Sequence, residues 1–341
     1  MWIHAYELEA KNALNSVSKQ TARTGFLTRK SNSATDPLNT FLAHSDFMYW
    51  PELGDPALKD LYPLLRETAT QDLEFPFSLT TADLQPVKSN ALISSFQNLG
   101  EALEHIQDAK FEVLKFKMGA DFKSEFQALM QLNLKSHLVR IDLNNALSFK
   151  DSKEALEMLK KIPNLEYVED PTPYHDHHWS ELQKIVPLAL DQTATTASTR
   201  NAAGSTRSVL AKSNSVGTFW DYRVVKPVRG FSLSQLVNWT YAKKKIVLTN
   251  MMDSVVGTWK TYLYYCELKK HIPHHLGTPG FHTHAQYTHL PFQDYLGFKG
   301  AQWTFDENKL HALNQGLATL SWMDFDEVDS RHWHDMVKGL R

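Results

Sequence analysis

The spacing of hydrophobic positions changes in a regular way along most of this chain. From about residue 87 onward, short runs of β-branched or apolar residues are each followed by an amphipathic helical stretch, which is typical of βα units around a parallel sheet. The predicted strands are 87–93, 111–117, 137–144, 165–169, 188–191, 222–226 and 246–250, with an eighth near 275–277. Helices are predicted between them, for example at 152–162 and 233–243.

The number and spacing of these units favour a closed barrel. Seven or eight βα units over roughly two hundred residues match the size of a (βα)8-type barrel, whose catalytic groups lie at the carboxyl ends of the strands. A doubly wound open sheet is the alternative, but that fold favours a glycine-rich phosphate turn after its first strand. Because the sequence contains no G-x-G-x-x-G or P-loop pattern, the barrel is the preferred interpretation.

The two ends of the chain depart from this βα pattern. The first part, about ninety residues, reads as short strands and turns followed by a helical segment. The segment after residue 302 has helical and aromatic character. We predict an α+β capping domain at residues 1–88, closed partly by residues 303–341, on a barrel domain at residues 89–302.

Composition narrows the class of partner. The 341 residues carry 36 Lys and Arg against 38 Asp and Glu, a formal net charge of −2. This balance argues against nucleic acid or an anionic membrane and favours a small-molecule substrate. Cys266 is the only cysteine, which excludes an intrachain disulfide and an all-cysteine zinc site. The sequence shows no basic leader with an apolar run and no stretch of ~18 apolar residues, so we expect a cytoplasmic protein.

The predicted strand ends carry ionisable residues that a buried, apolar strand otherwise avoids. In chain order these are Lys115 and Lys117, then Asp142, Glu169 and Asp191, then Lys226. From Lys117 onward they are 22 to 35 residues apart, about one βα unit, so a closed barrel brings them to one mouth. Adjacent carboxylates repel one another unless a cation lies between them. Hard oxygen ligands favour Mg²⁺, with Mn²⁺ as a substitute.

Each of these residues also has a plainer interpretation. A strand-terminal Asp often caps the next helix, and a strand-terminal Lys often reaches solvent. The joint pattern is harder to obtain from capping alone. Lys115 and Lys117 share one face of a strand, and a like charge lowers the pKa of either, which helps one lysine to act as a neutral base near pH 7. A metal would stabilise the enolate left when a proton leaves carbon.

Several strand-end motifs resemble a known family. The motifs are Lys115-Phe116-Lys117, Arg140-Ile141-Asp142-Leu143-Asn144, Tyr167-Val168-Glu169-Asp170-Pro171, Leu190-Asp191-Gln192-Thr193 and Val225-Lys226-Pro227. Together they resemble the muconate-lactonising subgroup of the enolase superfamily, in which a Lys or His base works with Mg²⁺. Within that subgroup, three N-terminal stretches resemble the capping domain of the o-succinylbenzoate synthase family. They are Asn12-Ala13-Leu14, Ala22-Arg23-Thr24-Gly25-Phe26 and Trp50-Pro51-Glu52-Leu53-Gly54-Asp55.

The resemblance implies a (βα)7β modified TIM barrel and a role for each strand-end residue. Lys117 would be the base, Lys115 its electrostatic partner, and Lys226 a cation on the opposite side of the substrate. The metal ligands would be Asp142, Glu169 and Asp191. Substrate contacts would come from Arg23, Arg140, Asn144, Asn250, Asp253, Ser254 and Gly277. The implied reaction is the Mg²⁺-dependent syn-dehydration of 2-succinyl-6-hydroxy-2,4-cyclohexadiene-1-carboxylate to o-succinylbenzoate in menaquinone synthesis.

The chain departs from the family at three positions. Met251 and Met252 stand where the family usually has serines, and Gln192 stands where an acid is common after the third metal ligand. Such a change near a ligand weakens its hydrogen bonding without removing the metal. No histidine follows the seventh strand, which argues against the mandelate-racemase subgroup.

Two other functions remain open. An N-succinylamino acid racemase or dipeptide epimerase on the same scaffold would use both lysines as acid and base. A non-catalytic barrel with a vestigial site would use neither. The histidine clusters at 175–178, 271–275, 282–284 and 332–334 are expected in exposed or capping roles, with 175–178 near the mouth. The aromatic run at 261–265 is expected to pack as a helix. The pattern does not predict an oligomeric state.

Overall fold

The computed structural model describes residues 1–10, 21–31, 35–53, 55–96, 99–191, 219–229, 233–251, 253–281, 287–325, 327 and 333. Its strands are β1 (Trp2–Ala10), β2 (Ala22–Arg29), β3 (His44–Met48), β4 (Val87–Lys88), β5 (Ala91–Ile93), β6 (Val113–Lys117), β7 (Leu138–Asp142), β8 (Leu165–Glu169), β9 (Leu188–Asp191), β10 (Tyr222–Val225), β11 (Lys245–Leu248), β12 (Tyr287–His289), β13 (Phe298–Lys299), β14 (Gln302–Trp303) and β15 (Met323–Asp324). Its helices are α1 (Pro37–Leu42), α2 (Tyr62–Leu73), α3 (Leu99–Ala109), α4 (Phe122–Met130), α5 (Phe149–Leu159), α6 (Asp176–Leu182), α7 (Leu233–Tyr241), α8 (Val255–His271) and α9 (Glu307–Ala318).

The central sheet of the described chain contains seven strands, β5 to β11, and they follow one another in sequence order. Each neighbouring pair is parallel. Buried Val, Ile and Leu dominate these strands, as expected where helices cover a parallel sheet. The predicted α/β class is confirmed.

Residues 276–280 take the eighth position of the barrel. Isolated parallel bridges join Ile246 to Leu276 and Thr249 to Gly280 on one side. On the other side, the backbone N–H of Asn90 donates to the carbonyl of Pro279 at 2.9 Å. The predicted eighth strand at 275–277 is therefore only a pair of bridges. Pro279 has no N–H to donate to a ladder, which accounts for the irregular pairing.

The predicted first barrel strand, 87–93, is split in two. β4 pairs antiparallel with β14, where Val87 faces Trp303, and only β5 joins the barrel sheet. Between them, the Ser89 hydroxyl accepts from the N–H of Phe281 at 2.9 Å. The side-chain hydrogen bond replaces strand pairing at this bend. The predicted helix 152–162 begins earlier, at Phe149, because Ser148 caps it by accepting from the N–H of Asp151.

An antiparallel sheet forms the N-terminal part of the fold. Its order is β12-β1-β2-β3, and β15 also pairs with β1. Ile3, Phe26 and Phe47 form a buried cluster under it with Leu61 and Leu65. The return of the C-terminal segment to this region, expected from the sequence, is seen in the pairing of β15 with β1.

Strand β12 joins this N-terminal sheet although it falls within the residues that the sequence analysis assigned to the barrel. His289 pairs with Glu9 of β1 in antiparallel register. After the eighth barrel position the chain crosses to the free edge of β1, which otherwise would expose unpaired backbone groups. Capping domain and barrel therefore share chain segments.

Helix α8 lies between the capping sheet and the barrel. It is buried on almost all sides, and Trp259, Tyr262 and Leu263 pack in the same core as Phe41 of α1. The aromatic run at 261–265 thus packs as a helix, as expected. Within the described residues, no helix is long and apolar enough to cross a membrane.

Candidate active site

Strand register brings the predicted base and two carboxylates to one edge of the barrel. Lys117 pairs with Asp142 across β6 and β7, and Asp142 pairs with Glu169 across β7 and β8. Asp191 ends β9, two residues beyond the Ala189 that pairs with Glu169. Carboxyl ends of parallel strands open on the catalytic face of a barrel, so the ends of β6 to β9 meet there.

Two lysines bracket the three carboxylates. Lys115 Nζ lies 2.9 Å from Asp142 Oδ2 and 2.7 Å from Glu169 Oε1. Lys226 forms an ion pair with Asp191. The three carboxylates are buried, so their mutual repulsion is weakly screened by water. The lysines supply the positive charge that this arrangement needs.

The pKa of Glu169 is raised by its position in this cluster. Burial raises its pKa to about 7, with further upward contributions from the charges of Asp142 and Asp191, while Lys115 acts in the opposite direction. A carboxylate held near neutral pH in this way would bind a cation in competition with a proton.

The two lysines of β6 have opposite pKa shifts. The pKa of Lys117 is lowered to about 8, chiefly by loss of hydration and also by the charges of Lys115 and Lys226, which act against the upward effect of Asp142. Burial acts in the same downward sense on Lys115, but Asp142 and Glu169 outweigh it and hold its pKa well above the usual value. Lys117 is therefore the lysine of the pair suited to act as a base.

The donor set fits a divalent cation by its chemistry. Three carboxylates on adjacent strand ends are hard oxygen ligands, and burial together with the charges of Asp142 and Asp191 raises the pKa of Glu169. Across the described part of the chain, no three His, Cys, Asp or Glu side chains are already spaced to hold a metal ion. Here the ammonium groups of Lys115 and Lys226 lie against the carboxylates.

Asp170 is a site residue that the sequence analysis did not assign. Its backbone is left-handed, with φ of 45°, and its Oδ1 accepts from the N–H of Asp191 at 3.1 Å. Asn144 is also left-handed, with φ of 46°, and its N–H donates to Asp142 Oδ1 at 3.2 Å. Asn and Asp tolerate this conformation best among residues with a Cβ. Both hydrogen bonds orient the proposed metal ligands. The sequence feature that could have identified Asp170 is the run Glu169-Asp170-Pro171 at the end of β8.

Arg140, expected to contact substrate, is enclosed by protein. It lies on β7 two residues before Asp142, on the same face but deeper in the barrel. Its Nε donates to Glu166 at 2.7 Å and its Nη1 donates to the carbonyl of Thr278 at 2.8 Å. Its guanidinium also lies 5.1 Å from the ring centroid of Tyr167. Arg140 therefore links β8 to the segment at the eighth barrel position across the barrel core.

Arg23 is held by the third N-terminal motif, Trp50-Pro51-Glu52-Leu53-Gly54-Asp55. Its Nη1 lies 2.9 and 3.0 Å from the two oxygens of Glu52, and its guanidinium lies 4.2 Å from the ring centroid of Trp50. The side chain is only 1% exposed. Two of the three sequence motifs that carry the N-terminal resemblance thus meet in space.

The loop after β11 is also held by protein partners. Asn250 Nδ2 donates to the Thr258 hydroxyl at 3.1 Å, and Asp253 Oδ2 accepts from the N–H of Met251 at 2.9 Å. The Ser254 hydroxyl donates to Asp46 of the capping domain at 2.7 Å. Gly277, at the eighth barrel position, donates its N–H to the carbonyl of Ile246 at 2.9 Å. Met252 and Gln192 lie outside the described residues.

Arg229 was missed by the sequence analysis. It follows Lys226 by three residues, and its Nη1 and Nη2 lie 2.7 and 3.0 Å from the oxygens of Asp55. Nη2 also donates to the carbonyl of Met48 at 2.8 Å. The turn after β10 is thereby tied to the capping domain. The sequence feature that could have identified Arg229 is its position, a charged residue shortly after the strand-end Lys226.

The described histidines have local partners. His178 stacks on Phe149 with ring centroids 4.0 Å apart, and His271 lies 3.0 Å from Glu267 on the same helix. His275 Nδ1 lies 2.9 Å from the carbonyl oxygen of Lys244. The predicted clusters at 282–284 and 332–334 lie outside the described residues.

Comparison with known proteins gives matches in both parts of the chain. Residues 1–83 match the family model "O-succinylbenzoate synthase, N-terminal domain", and residues 98–217 match "Enolase C-terminal domain-like". The chain belongs to the enolase superfamily. Its capping domain is of the o-succinylbenzoate synthase type, which confirms the resemblance seen in the sequence.

Curated relatives include two activities. The o-succinylbenzoate synthase of Bdellovibrio bacteriovorus is 26% identical over 337 residues, covering 93% of this chain and 96% of that protein. An L-amino acid-D/L-Glu epimerase of Francisella philomiragia is 29% identical over 128 residues, covering 33% of this chain and 36% of that protein. The match to the synthase spans both domains, whereas the match to the epimerase spans a third of the chain.

Solved structures share the fold. MenC from Desulfotalea psychrophila has a TM-score of 0.61 and 15% identity, covering 89% of this chain and 98% of its own. The o-succinylbenzoate synthase of Thermosynechococcus elongatus, complexed with Mg, has a TM-score of 0.59 and 15% identity, covering 85% and 95%. At these identities the likeness shows the enolase-superfamily fold.

Proposed function

We propose that this enolase-superfamily enzyme is an o-succinylbenzoate synthase. It would convert 2-succinyl-6-hydroxy-2,4-cyclohexadiene-1-carboxylate to o-succinylbenzoate, a step of menaquinone synthesis, by removing a proton next to the carboxylate and expelling water. The observation that carries the proposal is the strand-end arrangement, with a lysine of lowered pKa on one side of three carboxylates and a second lysine on the other. The choice of substrate is supported by a relative aligned over 93% of the chain.

Lys117 is the proposed base. Its Nζ would take the proton from the carbon next to the substrate carboxylate, breaking the C–H bond. In a syn elimination the same ammonium then protonates the departing hydroxide, so the C–O bond breaks, water leaves and the ring becomes aromatic. Lys115 keeps its proton, because the neighbouring carboxylates raise its pKa, and its charge favours the neutral form of Lys117.

Asp142, Glu169 and Asp191 would hold Mg²⁺, with Mn²⁺ as a substitute. The bound cation would supply Lewis acidity toward the substrate carboxylate. Lys226, on the far side of the carboxylates from Lys117, would remain charged and stabilise the anionic transition state from the opposite face of the ring.

Turnover of the cyclohexadiene substrate tests the proposal. We expect Mg²⁺-dependent formation of o-succinylbenzoate, lost in excess chelator and restored by added Mg²⁺. The Asp142→Asn and Asp191→Asn variants should lose metal affinity and turnover together, while circular dichroism shows an intact fold. Full activity in chelator, or no turnover by the folded parent with Mg²⁺, would contradict the proposal.

A dipeptide or N-succinylamino acid epimerase is the second candidate. It is supported by the 29% identity to an epimerase over 128 residues. In that reaction Lys226 would deliver a proton to the face opposite Lys117, so both lysines would exchange protons with substrate. Rapid exchange of the α-proton of both enantiomers, with poor turnover of the cyclohexadiene, would favour this candidate.

A further inference from the structure

Asp46 joins the capping domain to the start of helix α8. It lies on β3 and is only 1% exposed. Its Oδ2 accepts from the backbone N–H of Ser254 at 3.0 Å, the hydroxyl of Ser254 at 2.7 Å and the N–H of Gly257 at 3.2 Å. Its Oδ1 accepts from the Tyr6 hydroxyl at 2.6 Å. Every one of these partners is described and buried or half-buried, so the carboxylate is fully engaged.

The contact satisfies donors that the helix cannot satisfy itself. The first N–H groups of any α-helix lack partners within the helix, and a carboxylate near them also interacts favourably with the helix dipole. Ser254, the N-cap of α8, accepts from the N–H of Val256 at 3.1 Å. Asp46 adds an acceptor from another domain, separated by 208 residues from Ser254 along the chain.

Two glycines leave the room that this contact requires. A Cβ on Gly257 would lie 2.3 Å from Asp253 Cβ and 2.8 Å from Asp46 Oδ2, and a Cβ on Gly25 would lie 2.1 Å from the Tyr6 ring. Gly25 and Tyr6 are register partners on β2 and β1, so the tyrosine lies across the glycine to reach Asp46. Glycine is otherwise a poor residue in the first turns of a helix, and its presence at position 257 is explained by the close approach of both Asp253 and Asp46.

The loop held by Asp46 borders the active site. Leu248 of β11 pairs with Val225 of β10, and the N–H of Thr249 donates to the carbonyl of Val225 at 2.9 Å. Thr249 therefore lies beside Lys226, the residue after Val225. The described part of the loop at 249–254, residues 249–251 and 253–254, leads from that point to the contact with Asp46.

We propose that Asp46 is a positioning residue, which fixes the loop at 249–254 against Lys226 and so couples docking of the capping domain to assembly of the substrate site. The proposal rests on the proposed function for its substrate, but its effect on the loop does not. Ser254 and Asp253 then act through the position of the loop, in place of the substrate contacts expected from the sequence.

Asp72 offers a matched control on the same helix. Its Oδ2 lies 3.2 Å from Lys260 Nζ and its Oδ1 accepts from the Tyr264 hydroxyl at 2.7 Å. Like Asp46 it is a buried capping-domain carboxylate bound to α8, but its partners lie farther along the helix from the loop. We expect a change in Asp72 to weaken its contacts with Lys260 and Tyr264 and to leave the contacts of Asp46 with the loop in place.

The test compares Asp46→Ala, Asp46→Asn and Asp72→Asn for Tm, kcat and KM. Loss of positioning can reduce kcat/KM by on the order of 10²-fold, and we expect that loss for Asp46→Ala. Asp46→Asn, which keeps an oxygen for Ser254 and Gly257, should recover most of it. Asp72→Asn should lower Tm with kcat/KM near the parent value. Equal kcat/KM in the Asp46→Ala and Asp72→Asn proteins would overturn the proposal.

Two further measurements test the proposal if Asp46→Ala does not fold or if the proposed reaction is wrong. Tyr6→Phe removes only the bond to Asp46 Oδ1, and it should lower kcat/KM by a smaller factor; an unchanged value would count against positioning. Hydrogen exchange of the backbone at 249–258, without substrate, should accelerate in Asp46→Ala and stay near the parent rate in Asp72→Asn. Equal acceleration in both variants would contradict the proposal even if the parent turned over another carboxylate substrate.

Discussion

The protonation of Lys117 should set the pH dependence of the reaction. Loss of hydration and two neighbouring ammonium groups lower its pKa from 10.5 to about 8. At pH 7 a lysine of pKa 8 is neutral about a tenth of the time, whereas an ordinary lysine is neutral roughly 3 times in 10⁴. The site therefore increases the population of the basic form by roughly 300-fold, within the range that general-base catalysis contributes.

The assay is kcat/KM for the cyclohexadiene substrate between pH 5.5 and 9.5 at saturating Mg²⁺. A base works in its neutral form, so the rate should rise about tenfold per pH unit at low pH and level off at or below about 8. A bound cation near Lys117 would move its pKa further down. Lys117→Ala should lose about 10²–10⁴-fold in kcat with Tm unchanged.

Glu169 titrates in a neighbouring range and has to be separated. Its pKa of about 7 is that of a proposed metal ligand. A limb due to Glu169 should therefore keep moving to lower pH as the Mg²⁺ concentration is raised, whereas a limb due to Lys117 should stay fixed once the metal site is saturated. A limb near pH 10, a flat profile, or a rate that falls as pH rises from 6 to 8 would refute the assignment of Lys117.

Three further predictions concern the metal, Lys226 and the interface. Mg²⁺ affinity, measured by calorimetry, should fall as pH drops through about 7 because protons compete for Glu169; an affinity independent of pH would contradict this. Lys226→Arg, which keeps the charge but cannot give up a proton, should retain more dehydration activity than Lys226→Ala, and equal rates would argue against a purely electrostatic role. Lys260→Met should lower the free energy of unfolding by roughly 3–5 kcal/mol, since it leaves the buried Asp72 with the Tyr264 hydroxyl but without its charged partner. Urea unfolding measures that loss, and a change below about 1 kcal/mol would contradict it.

The strand ends could be predicted because they depend on local sequence. Lys117, Asp142 and Glu169 each terminate a short apolar run, and parallel register alone brings them side by side. The barrel followed from the same alternation. The catalytic and metal-binding roles of these residues stay predictions, since they depend on a substrate and a metal.

The contacts between domains could not be predicted from the sequence. Asp46 meets Ser254 across 208 residues and Asp55 meets Arg229 across 174 residues, and no local pattern marks either pair. Arg23 has the residue type expected to bind a carboxylate, yet Glu52, from its own domain, occupies it. The pairings of Asp46 and Asp55 depend on how the two domains dock.

Irregular strands were the other part of the fold that the sequence pattern did not predict. The run at 87–93 looks like one strand, but it divides where Ser89 and Asn90 turn to bond with the segment that closes the barrel. Pro279 makes the eighth strand too irregular for a pattern of alternating residues to reveal.

The direct test of the central claim is a competition of two reactions in deuterated water with Mg²⁺. Dehydration of the cyclohexadiene substrate is measured beside α-proton exchange of both enantiomers of an N-succinyl amino acid. The account predicts fast dehydration and exchange that does not rival it, because syn-dehydration requires no proton transfer by Lys226. Rapid exchange of both enantiomers with poor dehydration would contradict the synthase and show that both lysines transfer protons.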